Sequence, residues 1–512
     1  MLASCNGATI VGLESQIVRV EVDVMKGIPT FEIVGLPDTC VRESRIRVKS
    51  AIKNSGFDFP NKRIHVNLAP GDLRKEGASF DLPIALAILE ASGQLTYTKP
   101  RSFIVAGELS LDGKVRKIHG AISMALGARE AGVHFILVPE SNSREAAIVP
   151  DVEVYGISSL ADAAGFLKGS VPLPRVKVDA ESVLSQNGQS SLDFADVKGQ
   201  EHAKRAIEVA AAGGHNLLMV GPPGSGKTML AARIPSILPP LTLEESLEVT
   251  KIHSIAGLIP SGGALVTERP FRSPGCSTTA VGLTGGGQPL PRPGEVTLAH
   301  CGVLYLDEIT LFQRSALESL RAPLEDGRVT IVRSMVSVTF PASFSLVASM
   351  NPCPCGYFGD VLKECTCSAH AIQKYRSILS GPLFDRIDLQ VSVPRLRKEY
   401  LRKIRPPESS SEIRNRVIRA RAVQRQRLLP EGVFCNAGMA GKLVEKYCLI
   451  SSNAERFLWD AFDKLGFSAR SYHRILKVAR TIADLAGSEQ IEIEHLAEAL
   501  QYRFLDRNCL HS

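Results

Sequence analysis

Two short stretches, 80 residues apart, hold the residues best suited to chemistry. The first is Gly221-Pro222-Pro223-Gly224-Ser225-Gly226-Lys227-Thr228, preceded by the apolar run Leu217–Val220 and followed by the helix-compatible Met229–Arg233. Glycines let backbone N–H groups converge on phosphate oxygens, Lys227 can reach the β- and γ-phosphates, and Thr228 can ligate Mg²⁺. The second is Asp307-Glu308, at the end of the apolar run Val303–Leu306. An acidic pair beside a phosphate loop can hold Mg²⁺ through Asp307 and polarise the attacking water through Glu308. Either stretch alone is weak; in this order they predict ATP hydrolysis with Mg²⁺ as cofactor.

These groups need a parallel sheet to bring them together. A further strand-like run, Phe344–Ser349, leads to Asn351, a polar amide at the strand's end. The alternating residues of 327–340 read as a hairpin, with Arg333 near its tip. Between Lys227 and Asp307 lie long stretches rich in Gly and Pro, which inside a compact domain are usually functional. Cys353-Pro354-Cys355 and Cys365-Thr366-Cys367 are separated by nine residues. They read either as a tetrahedral Zn²⁺ site or as reduced loop thiols, the one-residue spacing within each pair being tighter than is usual for zinc.

With 44% hydrophobic and 22% charged residues in 512, the chain has ample material for several globular domains. The net charge of +7 is unevenly placed: residues 395–427 hold 12 Lys/Arg against 3 Glu, leaving the rest of the chain slightly acidic. Within this segment Ile413, Val417, Ala420 and Leu428 follow helical spacing on one face, and Arg414, Arg421 and Arg425 share another. This reads either as a solvated helix face or as a surface for nucleic acid. No apolar run reaches membrane-spanning length, and Leu2-Ala3-Ser4-Cys5 is read as a chance likeness to a lipid-attachment box. Eleven cysteines with no recognisable secretion signal point to a reducing cytoplasm.

Residues 1–168 read as an α/β domain, with strand-like runs at 17–24, 31–35, 63–68, 103–107 and 135–139 and helix-like runs at 41–55, 82–91 and 120–131. Residues 169–192 have a linker's composition, 193–394 contain the phosphate loop and acidic pair, and 395–512 are the basic segment followed by helical patterns.

The succession of phosphate loop, Arg269-Pro270-Phe271-Arg272-Ser273-Pro274, Pro291-Arg292-Pro293-Gly294-Glu295 and Leu304-Tyr305-Leu306-Asp307-Glu308 resembles the magnesium-chelatase-like branch of the AAA+ ATPases. Where that branch commonly has two His after the second Pro, this chain has Gly275-Cys276. The resemblance covers nearly the whole chain. It implies an α/β fold: a Lon-protease-like (S5-type) N-terminal domain, then an AAA+ P-loop core with a helical lid. Val197-Lys198-Gly199-Gln200 matches a stretch that lies against the nucleotide base. In the N-terminal domain Ser79 falls where Lon has its nucleophile, but Ile122 stands at the position of the catalytic Lys and cannot take a proton, so a non-proteolytic relative is expected.

Further roles follow only from the likeness, in which Asn351 would position the hydrolytic water and report the γ-phosphate. Arg386, in Leu383-Phe384-Asp385-Arg386-Ile387-Asp388, matches an arginine that reaches the γ-phosphate of the neighbouring subunit. Arg470, or Arg474 one turn later, matches the lid arginine that contacts nucleotide in cis. The likeness implies a cytoplasmic homo-hexameric ring motor acting on single-stranded or branched DNA. Branch migration or helicase action in recombination during natural transformation is the expected role. The alternative is a protein-remodelling or magnesium-chelatase-type ATPase.

Overall fold

The computed structural model describes residues 1–185, 192–288, 290–333, 336–379, 381–395, 408–465 and 469–505. The chain divides into two compact units, Met1–Asn187 with Thr242–Thr267, and Gly188–Leu241 with Glu268–Ser512. Among the described residues no helix is long and apolar enough to cross a membrane.

The first unit begins with a hairpin of β1 (Leu2–Val11) and β2 (Glu14–Met25). Its two-residue turn holds Gly12 at φ +66°, where a Cβ would be strained. Along β2 the alternation is strict: Val18, Val20, Val22 and Val24 face the core. With β3 (Thr30–Val34) and β4 (Arg63–Ala69) these strands form a mixed sheet in the order β1-β2-β4-β3. The segment that looked like a lipid-attachment box is therefore the start of β1, with Cys5 buried in the core. A second sheet has the order β8-β7-β6-β5, built from β5 (Phe103–Val105), β6 (Phe135–Pro139), β7 (Glu153–Ile157) and β8 (Arg175–Val176).

Helices Thr39–Asn54 and Asp81–Ala91 cover the first sheet. Asp81, fully buried, is matched by the Arg47 guanidinium at 2.6 Å and the Ser44 hydroxyl, so the charge is paired, as a buried carboxylate requires. Ile122 lies in an apolar cluster with Ala121 and Ala125 and brings no protonatable group. Its N–H donates to Glu145, which also accepts from Asn142 and from the Ser254 hydroxyl. Ser254 belongs to helix Leu243–Ile255. Part of the long interval after the phosphate loop is thus built into the first unit, tied to a buried carboxylate.

The second unit contains a five-stranded, all-parallel sheet in the order β10-β11-β14-β9-β15. Its strands are β9 (Leu217–Val220), β10 (Phe271–Arg272), β11 (Val303–Leu306), β14 (Ser345–Met350) and β15 (Leu389–Ser392). β12 (Arg328–Val332) and β13 (Ser337–Pro341) form the expected hairpin, in register from Arg328↔Pro341 to Val332↔Ser337. Arg333 is exposed at its turn and exchanges backbone hydrogen bonds with Val336. The central strands are buried on both faces, which explains their near-continuous apolar composition.

Helices follow in the order the sequence indicated: Ser410–Leu428, Gly441–Tyr447, Ser452–Leu465, Ala469–Ala486 and Ile493–Gln501. The basic helix Ser410–Leu428 starts with a Ser409/Glu412 capping box and buries Ile413, Val417, Ala420 and Leu428. Several of its arginines are engaged inside the unit: Arg416 pairs with Glu208 and Glu408, Arg421 donates to Ala211 O, and Arg427 pairs with Asp484. Arg421 therefore does not share an outward face with Arg425; among residues 408–427 the exposed arginines are Arg419 and Arg425. Residues 396–407, with five of the segment's twelve Lys/Arg, lie outside the described residues.

Candidate functional site

β9 delivers the chain into the Gly-rich loop at the level of its neighbours' ends. Gly221 donates its N–H to Met350 O at 3.2 Å, and a Cβ there would meet Val393 O at 2.1 Å, so only glycine fits. Gly226 sits at φ +95° immediately before helix Lys227–Ala231. That helix is short because Pro235 supplies no N–H to continue it. Lys227 is nearly buried and donates to Gly221 O at 2.7 Å, Pro222 O at 3.0 Å and Asn351 Oδ1 at 3.3 Å. Burial lowers its pKa, while Asp307 and Glu308 act to raise it.

The acidic pair faces this loop. Thr228 donates its hydroxyl to Asp307 Oδ2 at 2.8 Å, bringing the two expected Mg²⁺ ligands together. Asp307 Oδ1 accepts from the Tyr305 hydroxyl at 2.9 Å and from the Ser349 hydroxyl. Burial works to raise the Asp307 pKa, but hydrogen bonds from Ser349, Thr228 and Tyr305 outweigh it and hold the carboxyl below its ordinary value. Glu308 has φ +49°, uncommon for a residue with a Cβ, and its side chain is exposed. Its N–H points at both Asp307 Oδ1 and Ser349 Oγ, 3.1 Å from each, so the unusual backbone is held by two acceptors.

β14 lies between β9 and β11, so one strand end touches both halves of the site: Asn351 reaches Lys227 and Ser349 reaches Asp307. Gln200, at φ +62°, donates its amide to Pro394 O at 2.6 Å and Ser225 O at 3.4 Å, tying the Val197–Gln200 stretch to the loop. Ser349 and Tyr305 were not identified from sequence. Both sat in recognised strand-like runs, but only the β11–β14 register, Leu306↔Ala348, places Ser349 beside Asp307.

Arg386 is not joined to this cluster within one chain. Its guanidinium pairs with Glu325 at 2.5 Å and its carbonyl accepts from Asn216. Asp388 is engaged differently: His215 Nδ1 lies 3.2 Å from it and Arg474 3.9 Å. The other ring nitrogen of His215 meets Thr481 Oγ1 at 2.8 Å, so this buried imidazole links β15 to helix Ala469–Ala486. The side chain of Arg470 lies outside the described residues.

The two Cys-x-Cys pairs converge. Cys353 Sγ is 3.3 Å from Cys355 Sγ and 3.6 Å from Cys365 Sγ, and the Cys355–Cys365 separation is also 3.6 Å. Together with Cys367, the four sulfurs lie within 4.8 Å of one another. Backbone N–H groups of Tyr357 and Thr366 pull the Cys355 thiol down to about 6.

Comparison with known proteins agrees with this geometry. The chain matches the families described as magnesium chelatase, subunit ChlI, over residues 193–401, subunit ChlI of Mg-chelatase over 20–142, and the ChlI C-terminal family over 407–503. It is 43% identical over 500 residues to the competence protein ComM of Haemophilus influenzae, covering 97% of this chain and 96% of that protein. The protein YifB of Escherichia coli is 43% identical over 504 residues, with 98% and 96% covered. A Lon protease of Mesomycoplasma hyopneumoniae is 33% identical over 140 residues, 26% of this chain and 16% of that protein. Full-length identity of this order, with an intact phosphate loop and acidic pair at the sheet's strand ends, shows that the chain belongs to the magnesium-chelatase-like AAA+ ATPase family of the ComM/YifB type.

Proposed function

We propose that this protein is a magnesium-chelatase-type ATPase that hydrolyses ATP with Mg²⁺ and uses the turnover to remodel a macromolecular partner. The observation that carries this reading is the approach of Thr228 and Asp307 to 2.8 Å beside Lys227. Two hard oxygen donors at this spacing suit Mg²⁺. Thr228 and Asp307 would hold the ion, whose chemistry would be to neutralise phosphate charge. Lys227 moves from the loop carbonyls to the phosphates, Glu308 orients and polarises the attacking water, and Asn351 holds that water in line. Arg386, supplied by the adjacent subunit of a homo-hexamer, exchanges Glu325 for the γ-phosphate. Arg470, or Arg474, contacts nucleotide from the lid. The domain assignment is 1–168 Lon-like, 169–192 linker, 193–394 ATPase core apart from Thr242–Thr267, which belongs to the first compact unit, and 395–512 basic segment with lid, in a cytoplasmic protein. The test is paired: Lys227→Ala should weaken nucleotide binding, and Glu308→Gln should bind ATP without turning it over. Full hydrolysis by either purified variant would reject these roles.

A second reading is a motor on branched DNA. It is favoured by the likeness to a competence protein and by exposed Arg333 at the hairpin turn. The internal pairing of Arg416, Arg421 and Arg427 removes part of its electrostatic support. ATPase rates with single-stranded, duplex and forked DNA at two salt concentrations separate the readings. A DNA motor gives salt-sensitive stimulation, reduced by Arg333→Ala; a remodelling ATPase gives equal rates.

A further inference from the structure

The loop that follows Asn351 is folded around its four cysteines in a way that nothing in nucleotide hydrolysis requires. Cys353, Cys355, Cys365 and Cys367 are unbridged, and sulfur separations of 3.3–3.6 Å are far beyond a disulfide's ~2.05 Å. Four thiolates on a tetrahedral Zn²⁺ at ~2.3 Å would lie about 3.8 Å apart, close to what is seen. Apolar packing alone does not bring four sulfurs from two chain segments to one point. The loop also carries outer contacts of the kind that a metal–thiolate centre uses. Cys355 N–H points at Cys367 Sγ (3.4 Å), Phe358 N–H at Cys353 Sγ (3.3 Å) and Cys367 N–H at Cys365 Sγ (3.5 Å). Gly356 at φ +84° and Gly359 at φ +75° supply left-handed turns inside the loop.

We propose that Cys353, Cys355, Cys365 and Cys367 form a closed, structural Zn²⁺ site that fastens the Asn351 loop against the phosphate loop. The fastening contacts are specific. Gly356 lies so close to Pro223 that a Cβ would come within 2.7 Å of its ring. Arg395 donates to Pro223 O at 3.1 Å, lies 3.6 Å from Asp360 and stacks over Tyr357 at 5.2 Å. Asn351, two residues before the first cysteine, reaches Lys227. Four protein ligands leave no coordination position for substrate, so the metal holds shape and does no chemistry.

The test is elemental analysis of the full-length protein purified without chelator, with about one Zn²⁺ per chain expected. The Cys353→Ser/Cys365→Ser variant should fall below about a tenth of that, while Cys276→Ser, outside the cluster, keeps its metal. In case the double variant does not fold, wild-type protein stripped of metal with a mercurial, freed of mercury with excess dithiothreitol that is then removed, and given Co²⁺ alone should develop the visible bands of a tetrahedral thiolate complex. Zinc that is absent from wild-type protein, zinc that persists in the folded double variant, iron in its place, or Co²⁺ without thiolate bands would each overturn the assignment. These readouts do not depend on ATP turnover, so failure of the ATPase reading and failure of the zinc site are distinguishable.

Discussion

Ser349→Ala tests whether the acidic pair is preorganised by the strand beside it. Ser349 is fully buried; its hydroxyl donates to Asp307 Oδ1 and lies 3.1 Å from the Glu308 N–H. The substitution removes one hydrogen bond to a carboxylate and one acceptor from a residue at φ +49°. A hydrogen bond to a charged group is worth about 1.5–3 kcal/mol. Expressed wholly in the transition state, that is roughly 10- to 150-fold in rate. Because Tyr305 still donates to Asp307 Oδ1 at 2.9 Å, the lower end applies: kcat about tenfold down, with the Mg²⁺ concentration for half-activity raised. Steady-state ATPase assays over a Mg²⁺ series read both effects, and thermal melts show that the fold survives. Since Tyr305 and Ser349 back each other on one oxygen, Tyr305→Phe/Ser349→Ala should lose more than the product of the single effects. A folded Ser349→Ala protein with unchanged kcat and unchanged Mg²⁺ dependence would show that this hydroxyl is packing only.

Arg386→Ala should bind ATP but hydrolyse it about 10³-fold more slowly, and mixing it with Lys227→Ala should restore part of the rate at mixed interfaces. Normal turnover by Arg386→Ala at concentrations where the protein is monomeric would remove the trans role. Asp388 has its pKa raised by burial but lowered overall by His215, Arg474 and Lys477. A depressed folded pKa stabilises above the unfolded value of about 3.9 and is lost as pH falls through the folded value. Asp388→Asn should therefore cost about 3 kcal/mol at neutral pH, with the gap from wild type closing below about pH 4 in denaturant titrations; a constant gap would contradict this.

What could be read without the structure follows the range of the interactions involved. The phosphate loop is local: strand, glycines, Lys227 and Thr228 are contiguous, and they stand as their order indicated. Helix Ser410–Leu428 was legible for the same reason, since Ile413, Val417 and Ala420 lie within a few turns of one another. The fates of its arginines were not, because Glu208, Ala211 and Asp484 lie far away in sequence. The interval from Lys227 to Asp307 looked like one long functional insertion. Part of it, Thr242–Thr267, belongs instead to the first unit, for which the anchoring residue Glu145 gave no local sign. β1 was missed because its Ser, Cys, Asn and Gly residues blur the alternation that marked β2.

The strand order also explains why one short stretch carries so much. β14 sits between the strand that ends in the phosphate loop and the strand that ends in Asp307, so residues emerging from it can touch both. In extended backbone every second residue returns to the same side. Ser349 and Asn351 follow that spacing, the first bonding Asp307 and the second Lys227, while the intervening Met350 gives its carbonyl to Gly221. Cys353 comes two residues later and opens the cysteine loop, which closes back on Pro223 through Gly356. The stretch from Ser349 to Cys353 thus touches the acidic pair, the phosphate loop and the sulfur cluster within five consecutive residues. Loosening the cysteine loop should therefore act on the site at Asn351 before it acts at Asp307. Cys353→Ser should resemble Asn351→Ala, with impaired turnover and a nearly normal Mg²⁺ requirement, rather than Ser349→Ala, in which that requirement rises. A Cys353→Ser protein with the Mg²⁺ profile of Ser349→Ala would show that the disturbance passes through β14 itself and not through the residues that follow it.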